Sequence, residues 1–340
     1  MDVTGVNFLY LFYPLIGILL TMLVAKYFFN EKLGHGITQI LYTISKKSSI
    51  VKSGMMYSRM FTSALTVGFG GSVGLEAPIV VTGSAIGSNL AQLTHLNYKK
   101  RTLLIACGAS GAISAIFNSP IAGVIFAIEV ILAEATINKF IPILISSVTG
   151  SLVSLILLGD DILFTFRIQD QFSAGDVPYY ILFGIVCGVA SVHFTRVTYL
   201  VEKWVIRIKN RFNRALLGGI GLAIIILIFP PIYGEGYNTI KLLLDGNAAD
   251  IFQRSFFYSQ NNNTFALIIF LFCIVVIKPV ASALTLGSGG SGGIFAPSLF
   301  MGGLTGYLFA ASNNYLIPGT ISTSNFTLVG MCGVMSGVLH

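Results

Sequence analysis

The sequence predicts an all-α, polytopic membrane protein of tilted and broken helices arranged as two inverted structural repeats. Three observations carry that expectation. Of the 340 residues, 54% are hydrophobic and only 10% are charged, whereas a soluble domain carries roughly 25% charged residues. Several apolar runs approach the ~20 residues needed to cross a ~30 Å hydrocarbon core. One block recurs later in the chain with every one of its glycines kept, which chance similarity of apolar segments would not do: Ser63–Pro78 reads SALTVGFGGSVGLEAP and Ser282–Pro297 reads SALTLGSGGSGGIFAP, 11 identities in 16 positions at an offset of 219.

The elements follow in order. Phe8–Val24 is an apolar run with no basic region before it and no small-residue cleavage site after it, so it reads as a span and not as a signal peptide. Gly34-His35-Gly36-Ile37-Thr38 is a glycine-flanked helix start. The first repeated block is an apolar helix that ends in glycines and restarts at Pro78, close to the first turn, where proline is tolerated. Leu103–Phe117 and Ile121–Leu132 are short or glycine-rich segments, and Gly108, Gly111 and Gly123 let helices approach closely. Ile141–Leu158, Tyr179–Val192, Leu216–Ile232 and Phe265–Leu286 are further spans. The second block restarts at Pro297, and Phe326–Leu339 closes the chain. The offset of 219 also pairs Gly83 with Gly302 and Gly87 with Gly306, and a register six residues longer pairs Cys107-Gly108 with Cys332-Gly333. The expected organisation is a first repeat over 1–158, a connecting loop over 159–177 and a second repeat over 178–340. No extended alternating pattern indicates a membrane barrel.

The net charge of +7 does not indicate a nucleic-acid partner, because the basic residues cluster between apolar segments as the positive-inside rule demands. Lys26, Lys32, Lys46, Lys47 and Lys52, then Lys99, Lys100 and Arg101, then Lys203, Arg207, Lys209, Arg211 and Arg214 read as cytoplasmic. The stretch Asn238–Asn263 reads as external. Cys107, Cys187, Cys273 and Cys332 sit in apolar segments as packing residues, with neither disulfide nor metal role.

A helix broken in lipid is tolerated only where it is buried in protein or lines a wet cavity, and repeated membrane halves commonly hold substrate at their interface. Restarting a helix at mid-membrane aims free N–H groups and a positive dipole end inward, which makes an anion site without a full positive charge. Where the second block has Phe295 the first has Glu76, a carboxylate inside that site. Intramembrane acids are costly and by default functional, so Glu76 is read as an anion mimic that occupies the site and swings away on protonation; a helix-capping acid is the plainer alternative. His35 either lines the cytosolic entrance, adding pH sensitivity, or is an interfacial loop residue. Glu129, with Glu134 five positions on, sits either near the cytosolic vestibule or in an interfacial pair with a lysine. Lys278 reads as a structural residue paired with a carboxylate or carbonyls.

Gly74-Leu75-Glu76-Ala77-Pro78 and Gly293-Ile294-Phe295-Ala296-Pro297 resemble the two helix-start signatures of the CLC family of voltage-gated chloride channels and chloride/proton antiporters. The second matches the G-x-F-x-P pattern in full, and the first matches G-[KR]-E-G-P except at Leu75 and Ala77. FNSPIAGVIFAIE from Phe117 to Glu129 and Gly234-Glu235-Gly236-Tyr237 are also similar to family positions. The resemblance implies a multi-pass homodimer of the bacterial inner membrane with one ion path per subunit. It implies chloride held by backbone N–H groups around His35, Gly36, Ile37, Glu76, Ala77, Gly293, Ile294, Phe295 and Ala296, with Glu76 as the gating and proton-binding glutamate. His35 stands where the family often has an ion-contacting serine. Val130 stands where many antiporters carry an inner proton-transfer glutamate, with Glu129 beside it. The resemblance also implies a helix before Phe8 and further helices beyond His340, one supplying a tyrosine hydroxyl to the ion.

The expected function is therefore transmembrane chloride transport, channel-like with a glutamate gate, the valine at 130 favouring the channel; a chloride/proton antiporter is the alternative. A fluoride-selective transporter is a weaker reading, since Pro78 and the G-x-G-I sequence keep the chloride-type pattern. An enzyme using Glu76 as acid or base is not expected, because no H-E-x-x-H helix, paired aspartates or cysteine-histidine cluster accompanies it. The lipid bilayer, chloride and protons are the expected partners, with no cofactor and no metal.

Overall fold

The computed structural model describes residues 9–29, 36–132, 136–159, 173–253, 264–317, 319 and 321–339. The first half holds α1 (Leu9–Tyr27), α2 (Gly36–Lys46), α3 (Met55–Gly68), α4 (Glu76–Leu93), α5 (Tyr98–Phe117), α6 (Pro120–Phe126) with a π-helical turn over Ala127–Ile131, and α7 (Ile137–Leu158). The second holds α8 (Val177–Ile206), α9 (Arg211–Ile228), α10 (Tyr237–Leu244), α11 (Ala248–Gln253), α12 (Thr264–Gly287), α13 (Phe295–Leu316) and α14 (Thr323–Leu339). α5, α7, α8, α9 and α12 are long and apolar enough to cross a bilayer. The apolar run Tyr179–Val192 marks less than half of α8, which continues to Ile206 because no proline or glycine follows Val192 to stop it. Within Asn238–Asn263 the structure forms α10 and α11; residues 254–263, like His35 and Glu134, lie outside the described residues.

Both repeated blocks do what their glycines and prolines imply. α3 ends at Gly68 and α4 begins at Glu76; α12 ends at Gly287 and α13 begins at Phe295. The turns between them contain Gly70 at φ +90° and its counterpart Gly289 at φ +109°, conformations that glycine adopts without a Cβ clash. The two turns then cross. Gly74 N–H donates to the Gly293 carbonyl at 2.9 Å and Gly293 N–H to the Gly74 carbonyl at 2.8 Å, an isolated antiparallel bridge between equivalent residues. Around it the exchange continues in kind: Ser291 N–H donates to Thr66 Oγ1 at 2.9 Å and Ser72 N–H to Thr285 Oγ1 at 3.2 Å. Reciprocal antiparallel pairing of equivalent positions is the signature of a local two-fold axis, which is the inverted relation expected of the repeats.

Two apolar cores form, one within the first half and one that draws α1 into the second. One runs from Ile40 through Val81, Ile105 and Ile113 to Ile143; the other joins Ile18 to residues such as Phe183, Leu222, Ile274, Phe300 and Phe326. Beside the crossing turns α4 packs on α5 and α13 on α14, with backbone against backbone. A Cβ on Gly83 would meet the Gly108 carbonyl, and one on Gly302 would meet the Gly330 carbonyl; likewise Gly87 faces the Leu104 carbonyl and Gly306 that of Phe326. This corrects the register read from sequence. The counterpart of Gly108 is Gly330, not Gly333, which instead faces Cys187. Close helix packing selects glycine at the crossing point, whereas Cys332 is exposed and Cys107 buried, so the matching Cys-Gly dipeptides occupy different environments.

Candidate functional site

Three helices start at the crossing. Gly36 opens α2, and a Cβ there would lie 3.5 Å from the Ala77 carbonyl and 2.9 Å from Val81. Ala77, in the first turn of α4, also lies against Gly293, while Ala296 of α13 lies against Gly74. The starts of α2, α4 and α13 therefore converge around Ala77. Leu75 and Ile294 precede their helices without a side-chain cap, so first-turn N–H groups are left to other partners. Together these ends supply positive potential and N–H donors without a formal charge. Ile37 is half-buried, Ala77 is 5% exposed, Phe295 9% and Ala296 0%. The Phe295 ring packs on Phe117, with centroids 5.8 Å apart. Of the residues expected at the anion site, the structure gathers Gly36, Ile37, Glu76, Ala77, Gly293, Ile294, Phe295 and Ala296.

Glu76 fills this site. Its side chain is 2% exposed. The Tyr237 hydroxyl donates to Oε1, the N–H groups of Glu76 and Ala296 face the carboxylate, and Oε2 is turned towards Gly74 with no hydrogen bond of good geometry among the described residues. A carboxylate facing the start of α13 sits where a bound anion would meet the same N–H groups. Helix capping alone does not describe it, since the side chain reaches across to the other repeat and to α10.

A polar cluster flanks the site. Glu235 Oε1 accepts from the Leu75 N–H at 2.9 Å. Lys278, fully buried in α12, donates to Ser72 Oγ at 2.8 Å and to the Gly234 carbonyl at 3.4 Å, with its ammonium 4.6 Å from the Phe300 ring centroid. Ser72 Oγ in turn donates to the Ile232 carbonyl at 2.9 Å. The carbonyl pairing expected of Lys278 is present, and it ties the segment bearing Glu235 and Tyr237 to the crossing turns. Burying an ammonium this deeply is tolerated because hydrogen bonds and an acidic neighbour compensate its desolvation.

Glu129 and Val130 are not part of this convergence. They lie in the π-helical turn that extends α6, packed on α5 and α6, with Glu129 exposed and Val130 half-buried against the first core. Sequence reasoning assigned no role to Tyr237 and Glu235, which belong to the cluster, or to Arg59. The last was discoverable, because Arg59 stands 219 positions before Lys278, at the repeat's own offset. It is 2% exposed and donates to Gln39 Oε1 at 2.7 Å. Both repeats thus bury a basic residue at one equivalent position.

Comparison with known proteins gives a consistent answer. A family model described as "Voltage gated chloride channel" matches residues 16–340. The chain is 31% identical over 328 residues to "Chloride channel protein CLC-f" of Arabidopsis thaliana, covering 89% of this chain and 40% of that protein. It is 28% identical over 323 residues to "H(+)/Cl(-) exchange transporter ClcA" of Vibrio campbellii, covering 92% of this chain and 65% of that one. Among solved structures, that of a slow cyanobacterial Cl-/H+ antiporter superposes with a TM-score of 0.79 at 21% identity, over 96% of this chain and 75% of that one. The chain thus spans about two fifths of the plant relative's length.

Proposed function

Because this chain belongs to the voltage-gated chloride channel family, whose members span the membrane many times, we propose that it moves chloride across a bilayer in exchange for protons. The observation that carries this reading is the position of Glu76: its carboxylate, 2% exposed, occupies the convergence of helix starts under the Tyr237 hydroxyl. While ionised it competes with chloride for the same N–H groups. Protonation removes that competition, and the neutral side chain gives way to the anion; loss of the proton on the other side returns it. Anion passage and proton movement are thereby linked through one carboxyl group.

The exchanger is favoured here over the channel that Val130 alone would indicate. The relative from Vibrio campbellii that aligns across 92% of this chain is named an exchange transporter. The anion is taken to be chloride, the assembly a homodimer with one path per subunit, and the location the bacterial inner membrane.

The test is the reversal potential of the full-length protein in liposomes under crossed chloride and pH gradients. Exchange predicts a potential that moves when only the pH gradient is changed. A potential set by chloride alone would return the protein to the channel class.

A further inference from the structure

Glu76 must receive a proton, yet it is sealed. Its Oε1 is covered by Tyr237, and the carboxylate is nearly inaccessible. Next to it lies a cavity of about 290 Å³, lined by Glu76 and Glu235 together with Leu75, Asn118, Ser154 and Leu158, among others. The cavity has room for several water molecules and offers them polar partners. Its side of the membrane follows from α5, which starts beside the basic Lys99-Lys100-Arg101 cluster and ends at Phe117, next to the cavity-lining Ile116 and Asn118. Basic clusters mark the cytoplasmic face, so the cavity is on the outer side.

Its chemistry is unsuited to an anion. Two carboxylates and no lysine or arginine line it among the described residues, and Leu75 stands at the position where the family signature carries a cation. Such a wall repels chloride and draws protons. Glu235 is held firmly in it. Oε1 is committed to the Leu75 N–H, the preceding carbonyl receives Lys278, and the following Gly236 has φ +89° with its α-carbon against Phe300. The side chain is half-buried and lines the cavity. The groups facing Glu235 are Glu76 from α4, Tyr237 from α10 and Lys278 from α12. Burial pushes its carboxyl up from the ordinary range, with the Leu75 N–H and the Lys278 charge pulling the other way.

We propose that Glu235 is the outer proton-transfer residue of this protein, exchanging a proton with external water on Oε2 and passing it through cavity water to Glu76. In the inward step the Glu235 carboxylic acid gives its proton to a water, which gives one to the Glu76 carboxylate. Glu235 is left ionised and Glu76 neutral, so the charge on the pair is conserved. This assignment rests on the exchange reading above.

The competing role for Glu235 is a cap on α4, and substitutions separate the two. Glu235→Gln keeps an acceptor for the Leu75 N–H but carries no exchangeable acid; Glu235→Asp keeps the acid and shortens its reach to Leu75. In liposomes loaded for proton-driven chloride uptake, the relay predicts that Glu235→Gln slows exchange by roughly tenfold to a hundredfold, with Glu235→Asp the faster of the two. Glu235→Gln added to Glu76→Gln should not slow passive chloride flux, because no proton acceptor remains to be served and loss of a carboxylate charge only eases an anion's passage. Wild-type rates in Glu235→Gln, a faster Gln than Asp variant, or an equal slowing of chloride flux in the Glu76→Gln background would each overturn the relay. Absence of coupling in the wild-type protein itself would instead sink the exchange reading on which it stands.

Discussion

At Leu75 and at Ile294 the backbone takes nearly the same turn, φ −86°, ψ −13° and φ −89°, ψ 0°, and each residue leads into a helix without a side-chain cap. One helix continues with Glu76 and the other with Phe295. The phenylalanine packs on Phe117 as a wedge of the apolar wall; the glutamate lies across the interface among the N–H groups of both repeats and under Tyr237. The same contrast holds further from the crossing. Lys278 of the second repeat binds the outer segment at Ser72 and Gly234, while Arg59 of the first binds Gln39 on α2. Duplication supplied a symmetric scaffold of glycine turns and helix starts, and single substitutions on one copy made its two ends chemically different. A transporter needs that difference, since a site symmetric in its titratable groups could not tie a proton to one side of the path.

The substitution with the largest expected effect removes the contrast itself. Glu76→Gln is isosteric and permanently neutral, so it resembles the protonated side chain. Proton movement driven by a chloride gradient should fall to the level of protein-free vesicles while chloride flux persists or rises. Paired recordings of pH and chloride in the same liposomes check this. Loss of both fluxes in a folded protein would show that Glu76 builds the site and does not gate it.

The contrast at Glu76 was legible in the sequence because the repeat gave each residue an internal control: aligned against Phe295, a lone carboxylate stood out. The broken helices were legible too, since glycine and proline act locally. What escaped was set by distance in the chain. Tyr237 reaches Glu76 across 161 positions and Glu235 reaches Leu75 across 160, and nothing in Gly234-Glu235-Gly236-Tyr237 itself announces which helix start it covers. The register of α5 against α14 escaped for another reason. Matching dipeptides, Cys-Gly in both, outweighed the three-residue shift that backbone contact between Gly302 and Gly330 demands.

That corrected register can be broken next. Gly83 and Gly302 each press on a facing backbone carbonyl, at Gly108 and Gly330, and rigid backbone cannot yield as a side chain end would. Gly83→Ala and Gly302→Ala should each destabilise the protein by about 1–3 kcal/mol, the usual cost of overpacking, read as thermal unfolding in detergent. Gly333→Ala faces only the Cys187 side chain, with a nearest approach of 3.0 Å, and should cost clearly less. Equal losses at 302 and 333 would favour the Cys-Gly register after all.

The smallest effect tests how closely the two-fold exchange at the crossing holds. Thr66 and Thr285 occupy equivalent positions, and each accepts a buried N–H from the other repeat, Thr66 from Ser291 at 2.9 Å and Thr285 from Ser72 at 3.2 Å. Valine keeps the shape and deletes the acceptor, which strands a buried donor at about 1–3 kcal/mol. Symmetry predicts two similar losses, but the environments are not identical. Thr66 Oγ1 also meets the Thr21 hydroxyl at 2.9 Å, bringing α1 into the network, whereas the bond at Thr285 is longer. Thr66→Val should therefore cost more than Thr285→Val, by about 1 kcal/mol for the additional hydrogen bond. A difference of that sign in unfolding free energy would locate the departure from symmetry at α1, which packs on α3 and α9. Identical losses would mean that the Thr21 contact contributes nothing and that the crossing is symmetric in energy as well as in geometry.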